Sequence, residues 1–216
     1  EKALDSRGNN LTRFMSTLQM NDPRTFVRIV EDNVIKILPM LSDVLAPPKG
    51  QEAILTIREK GLSSKIDASN ISFGIMQALI LVIGIVTKRN GSTILIEEPE
   101  LHLHATSQRR LFKLIQREAN EKQKQFFLTT HSTIFTACNE QNSTYLVTKK
   151  KGATIVRKIE EPMELKIVKN VLGHRNTDLY GDECVVFIEG DSEEIAFPII
   201  AEAMGYDLVE KGIRLI

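Results

Sequence analysis

The chain has 216 residues, 42% of them hydrophobic and 26% charged, a balance that excludes a disordered polypeptide. Lys plus Arg and Asp plus Glu number 28 each, so any nucleic-acid contact has to come from a local patch and not from a chain-wide basic field. Two cysteines, Cys138 and Cys184, give neither a disulfide framework nor a zinc spacing, and the longest apolar run, Ala78 to Val86, is far short of the roughly 20 residues of a membrane span, so a reducing cytoplasm without membrane attachment is expected.

In chain order, Arg7-Gly8-Asn9-Asn10-Leu11 reads as a turn leading into a short helix that carries Leu11, Phe14, Met15 and Leu18 on one face. Asp22-Pro23 then supplies an N-cap and first helical position. Phe26, Ile29, Val30, Val34, Ile37 and Leu38 follow at three- and four-residue spacing until Pro39 stops the helix. Pro47-Pro48-Lys49-Gly50 marks a loop, Ala53 to Glu59 a short strand, and Gly61 to Lys65 a polar turn. Ser72-Phe73-Gly74-Ile75-Met76-Gln77 opens a long apolar helix, expected to be buried, and Asn90-Gly91 is a tight turn into the next strand. That strand, Thr93 to Glu97, is read as buried and ends on Glu97-Glu98-Pro99.

Ala105 to Lys122 is a helix with Leu111, Leu114 and Ile115 on its apolar side and Arg109, Arg110, Arg117 and Lys122 on a solvated one. Phe126-Phe127-Leu128-Thr129-Thr130-His131-Ser132 reads as a second buried strand ending near a histidine. Thr144 to Ile159 alternates as a hairpin turning at Lys151-Gly152. The compact cluster Lys149-Lys150-Lys151 is a solvated turn or a phosphate-backbone contact. Glu160 to Asp178 reads as a charged helical connector with a domain boundary near its end. Beyond it, Cys184 to Glu194 forms a strand delivering Glu189 to a glycine turn, a helix carries Ile195, Ile199, Ile200 and Met204 until Gly205, and Gly212 to Ile216 begins another strand.

Several of these residues carry chemistry. Adjacent carboxylates on a strand point to opposite sides, so Glu97 and Glu98 suit two different jobs. In nucleotide hydrolysis one such acid holds Mg²⁺ and the next polarises the attacking water, which assigns the metal to Glu97 and the water to Glu98. At a helix start, Ser72 offers a hydroxyl and Gly74 a close backbone approach to an anion, although Ser72 serves equally as a plain helix cap. His131, at a strand end, could bond a terminal phosphate. His102-x-His104 has too few neighbouring ligands for zinc.

The order of these motifs resembles the ATP-binding-cassette ATPases, within them the RecF-like and SMC-like group. Ser72-x-Gly74 is similar to the signature motif, Ile94 to Glu98 to Walker B, Glu100 to His104 to the D-loop and Thr130-His131 to the switch histidine. The wording Glu97-Glu98-Pro99-Glu100-Leu101-His102-Leu103-His104 followed by Thr129-Thr130-His131-Ser132 resembles most the OLD-family (overcoming lysogenisation defect) ATP-dependent endonucleases, which include the Gabija type. The strand-Glu189-Gly190-helix unit resembles the opening of a Toprim domain, and this family tolerates a proline such as Pro198 in that helix.

The resemblance implies an α/β fold: residues 1–177 as the C-terminal lobe of an ABC-type ATPase and 178–216 as the start of a Toprim α/β domain. It implies ATP and Mg²⁺, or Mn²⁺ at the Toprim site, with Ser72, Gly74, Gln77, Glu97 and His104 facing nucleotide, Glu98, His131 and Glu189 catalytic, and Glu97 and Glu189 holding metal. It further implies DNA as substrate, a dimer of heads or a higher homo-oligomer, and an accessory defence protein among the partners. Two other classes stay open: a RecF- or SMC-like repair ATPase without nuclease chemistry, and a non-enzymatic module that kept the fold. No glycine is followed by lysine and no Asp-x-Asp occurs, so the phosphate-cradling loop and the metal aspartates are expected outside these residues, and this portion alone is expected to be inactive.

Overall fold

The computed structural model describes residues 3–49, 52–136, 142–159, 184–186, 188, 190–208, 211 and 213–215. It divides into two compact units, residues 1–103 with 110–128, and residues 104–109 with 129–216. Cys138, the connector from Glu160 to Asp178 with its boundary, and Glu189 lie outside the described residues.

In the first unit the chain enters through a turn organised by Asp5. Its carboxylate accepts the backbone N–H groups of Arg7, Asn9 and Asn10 at 2.7, 3.2 and 3.2 Å. Desolvation pushes this carboxyl up, but the amides prevail and hold it below the ordinary range. Gly8 sits at φ +72°, and a Cβ there would lie 2.5 Å from Ile80 Cγ1 and Cδ1, so the turn is pressed against the neighbouring helix. Gly8→Ala is therefore expected to cost about 2–4 kcal/mol, from the left-handed backbone and the overpacking together. Chemical denaturation reads the loss, and an unchanged midpoint would show that Ile80 yields freely.

Helix α1 (Leu11–Asn21) buries Leu11, Phe14 and Met15, as its spacing predicts. Asp22 caps α2 (Pro23–Ile29), accepting the Thr25 N–H at 3.0 Å, and bonds from the Thr25 side chain and backbone draw its pKa down. The predicted single helix is present, but it widens into a π-turn at Val30–Val34 before finishing as α3 (Ile35–Ile37). The turn buries Asn33, which needs a donor. Arg117 supplies it, with Nη2 2.5 Å from Asn33 Oδ1, and Arg110 Nη1 donates to the Lys36 carbonyl at 3.0 Å. Two arginines expected on a solvated face thus satisfy groups of the π-turn region.

Strand β1 (Leu41–Leu45), unforeseen because Pro39 and Pro47 crowd it, pairs antiparallel with β4 (Thr56–Glu59), which pairs with β5 (Ile66–Asp67). The single strand expected from Ala53 to Glu59 is broken. Glu52–Ala53 (β3) pairs instead with Pro48–Lys49 (β2). Helix α4 (Phe73–Thr87) buries Ala78, Leu79, Val82, Ile83 and Ile85, and the core around it includes Met15, Val34, Leu38, Leu41, Val44, Leu55, Ile57 and Leu111.

Strands β6 (Thr93–Glu97) and β7 (Gln125–Thr129) are hydrogen-bonded neighbours joined through α5 (Ala105–Lys122). Gln125 N–H donates to the Ser92 carbonyl at 3.0 Å, so the strands start side by side and run in the same direction. Neither is buried on both faces, contrary to expectation. Ile94, Ile96, Phe126 and Leu128 are half-buried, whereas Leu95 is 77% and Phe127 55% exposed. Among the described residues no layer covers that second face, so the strands show alternation where continuous burial was predicted.

In the second unit, β8 (Thr144–Lys150) pairs antiparallel with β9 (Ala153–Ile159), with Val147 opposite Val156. Lys151 and Gly152, at φ +50° and +83°, form the predicted turn. Strand β10 (Cys184–Val186), helix α6 (Asp191–Ala203) and strand β11 (Ile213–Leu215) make a parallel strand-helix-strand unit. Glu193 accepts the Gly190 N–H at 2.9 Å at the helix start, Pro198 lies inside the helix, and Gly205 follows it at φ +80°. No helix among the described residues is long and apolar enough to cross a membrane.

Candidate functional site

Ser72, Gly74, Gln77, Glu97 and Glu98 all belong to the first unit, and His104 and His131 to the second. Ser72, in an extended conformation, is the N-cap of α4. Its Oγ accepts the Ile75 N–H at 3.4 Å and its carbonyl accepts the Met76 N–H at 3.1 Å. This bonding engages the side chain in the helix, while the amides of the first turn and the helix dipole leave an electropositive end at Phe73 and Gly74. One turn on, Gln77 carries a buried Oε1 with no hydrogen-bond partner among the described residues, an atom that needs a donor.

Glu97 is the last residue of β6 and is exposed; Glu98 is half-buried. The two acids do differ in surroundings, but the cause is a reversal of the chain and not strand alternation alone. Glu98 takes a left-handed backbone, φ +45°, and His102 a second one, φ +61°. Non-glycine residues held there cost about 1–2 kcal/mol each, strain that persists only where neighbours enforce it. Between them the Leu101 N–H donates to the Glu98 carbonyl at 3.1 Å and the Leu103 N–H to the Glu100 carbonyl at 3.0 Å, with Pro99 and Glu100 buried beneath.

This turn returns onto the start of α4. The His102 ring meets Phe73 edge to face, centroids 5.6 Å apart at 88°, and His102 Cβ occupies the place a Gly74 side chain would need, 2.8 Å from a Cβ built there. A packing demand for glycine at position 74 was not legible in the sequence, where Gly74 read only as room for a phosphate. His102 was likewise read only as part of the segment similar to the D-loop. No local signal separates it from His104; the left-handed backbone that aims it back at α4 is a tertiary outcome.

His104 precedes α5, is exposed, and gives its carbonyl to the Gln108 N–H at 2.9 Å. His131 is exposed just after β7. Beside it the Ser132 N–H donates to Thr130 Oγ1 at 2.9 Å, and the Ser132 hydroxyl lies 2.7 Å from Gln108 Oε1, so the histidine is carried by a braced turn. Among the described residues no three His, Cys, Asp or Glu side chains gather as a metal cage.

A groove of about 1010 Å³ lies at the other end of α4, lined among others by Phe14, Arg28, Ile29, Thr87, Arg117 and Lys122. None of Ser72, Gly74, Gln77, Glu97, Glu98, His104 and His131 lines it.

Comparison with known proteins decides the family. Residues 1–136 match the AAA ATPase domain family. The chain belongs to it. Over 105 residues this AAA ATPase domain protein is 31% identical to the OLD nuclease of Thermus scotoductus, a match covering 47% of this chain and 20% of that nuclease, so it corresponds to about a fifth of the relative's length. Two solved structures share the fold. One comes from work on the ATP-driven dimerization and DNA-stimulated activation of SMC ATPases; it is 17% identical, with a TM-score of 0.50 over 70% of this chain and 96% of that one. The other is the Smc head domain with coiled coil and joint from Pyrococcus yayanosii, 16% identical, with a TM-score of 0.53 over 77% of this chain and 34% of that one. The α/β fold is thus that of the SMC-head group, as the motif order implies.

Proposed function

We propose that this AAA ATPase domain protein is the part of an OLD-family ATP-dependent endonuclease that senses and hydrolyses ATP. The observation that carries the reading is the packing, within one unit, of the Ser72-capped start of α4 against the turn that begins at Glu98. In this reading the α4 amides, Ser72 and Gln77 receive the terminal phosphate of ATP bound to a second copy, with Gly74 at the close approach. The electropositive helix end fits a phosphate, and the orphaned Gln77 Oε1, an acceptor, fits a water beside it. Glu97, exposed at the strand end, would hold Mg²⁺ through water, and Mg²⁺ when bound neutralises phosphate charge. Glu98 takes the proton of the attacking water, and His104 and His131 serve the phosphate side once heads engage.

Engagement of the heads in turn regulates cleavage of DNA by the Toprim part that begins near residue 178, where Glu189 works beside Mg²⁺ or Mn²⁺. Domain limits of 1–177 and 178–216, a cytoplasmic location and an accessory defence partner belong to the same proposal. The likeness to an OLD nuclease and to the SMC-head fold supports it.

A pair of carboxylate replacements in the intact protein tests the reading. Glu189→Ala is expected to lower Mg²⁺-dependent DNA nicking by at least about 100-fold while ATP turnover stays within about twofold. Glu98→Gln is expected to do the reverse to ATP turnover and leave nucleotide binding. A nuclease that survives Glu189→Ala would remove the Toprim assignment and favour a clamp-type ATPase.

A further inference from the structure

Within the site just proposed, one side chain is held in a way that no phosphate contact requires. His102 has a left-handed backbone at φ +61°, its ring stands perpendicular to that of Phe73 with centroids 5.6 Å apart, and its Cβ fills the space above Gly74. Both of its partners belong to the first turn of α4, and its own backbone closes a turn whose other left-handed residue is Glu98. Two such residues four positions apart fix the direction of the chain on entering and leaving the turn, and buried Pro99 and Glu100 leave little room for a different path.

From this juxtaposition we infer that His102 is a positioning residue. It locks the phosphate-facing start of α4 to the backbone that carries Glu98, so the two halves of the site keep one spacing. The ring acts by packing. The perpendicular contact with Phe73 and the missing side chain of Gly74 are what the lock needs. Removing the ring leaves Ser72 and Glu98 chemically intact and keeps the Cβ above Gly74, but loosens α4's first turn by removing its contact through Phe73. A larger residue at Gly74 would break the same lock from the other side.

The inference rests on the ATPase reading for its catalytic consequence but not for its structural one, and the experiment separates the two. In the intact protein, His102→Ala is expected to speed hydrogen exchange at the Met76 and Gln77 amides, the first ones bonded within α4, about tenfold, with the β8–β9 hairpin unchanged. ATP turnover is expected to fall about tenfold in kcat with KM within about threefold, the pattern of a misaligned site and not of lost binding. His102→Phe, which keeps a ring edge toward Phe73, is expected to restore both readouts to within about threefold of the parent. Unchanged exchange in His102→Ala overturns the lock. Equal impairment in the Ala and Phe variants overturns the packing role in favour of imidazole chemistry, and normal kcat in His102→Ala beside an inactive Glu98→Gln overturns the positioning role. Normal turnover in Glu98→Gln removes the catalytic reading of the site, and the exchange readout then still decides the lock.

Discussion

Glu98→Gln in the intact protein should lower ATP turnover by at least about 100-fold, the effect of deleting a general base, while leaving the affinity for ATP within about threefold. Glutamine keeps the size of the side chain and accepts hydrogen bonds, so water can still be oriented, but it cannot take the proton. The left-handed backbone at 98 makes the same demand on Glu and Gln, which makes the comparison one of chemistry and not of fold. If the two heads associate around ATP, the variant should also prolong the associated state, because turnover no longer ends it. Single-turnover hydrolysis and equilibrium nucleotide binding together read the outcome. Turnover within tenfold of the parent would transfer the catalytic role elsewhere, and a parallel loss of binding would make Glu98 a binding group.

The second large effect concerns stability. Lys124 and Glu118 form an ion pair inside the first unit, Nζ to Oε2 at 2.6 Å, with side chains only 1% and 7% exposed. Nζ also donates to the Ile85 carbonyl at 2.8 Å, one of the last-turn carbonyls of α4 that have no partner within the helix. Lys124 thus caps one helix while neutralising an acid on another. Lys124→Met leaves a buried carboxylate and an unpaired carbonyl, a loss expected to reach about 3–5 kcal/mol against total stabilities of about 5–15 kcal/mol. Arg117, with Nη2 3.5 Å from Glu118 Oε1, holds the figure toward the lower end.

The double variant Lys124→Met with Glu118→Leu should recover the part of that loss due to the stranded carboxylate, while the Ile85 carbonyl still lacks its donor. Urea midpoints at constant slope measure both. A single-variant loss below about 1 kcal/mol would show that water reaches the carboxylate once the lysine is gone.

Local chemistry explains which elements were legible. Asp22-Pro23 announces a helix because a carboxylate can accept the third amide and proline needs none, and the Asp22 to Thr25 bond is present. Lys151-Gly152 announces a tight turn because one position has no side chain to clash at positive φ. Ser72 before an apolar helix and Glu97 after an apolar strand were read from the same local rules, and both stand where those rules put them. Strand β1 was missed because its only cue, Leu41 and Val44 facing the core, is three residues apart across the irregular pairing between Leu41 and Asp43.

Arg110 and Arg117 show where reading one element at a time fails. Along α5 they lie among charged neighbours and look solvated, yet both reach carbonyl oxygens of a π-turn region more than seventy positions earlier. Similarly, Leu95 and Phe127 look like core residues because aliphatic runs usually are, and their exposure follows from what packs on the sheet, which no strand encodes about itself.

The amino-acid order by itself determined the helices with caps, the hairpin turn, the sequence of motifs and through them an ATPase of α/β fold, because each depends on residues within a few positions of one another. Only the tertiary structure decided that Glu98 and His102 sit in left-handed strain, that a side chain at Gly74 would meet His102 Cβ, and that Lys124 is buried against Ile85 and Glu118. Those outcomes depend on which surfaces meet across long separations in the chain, where close packing, not local preference, selects the conformation.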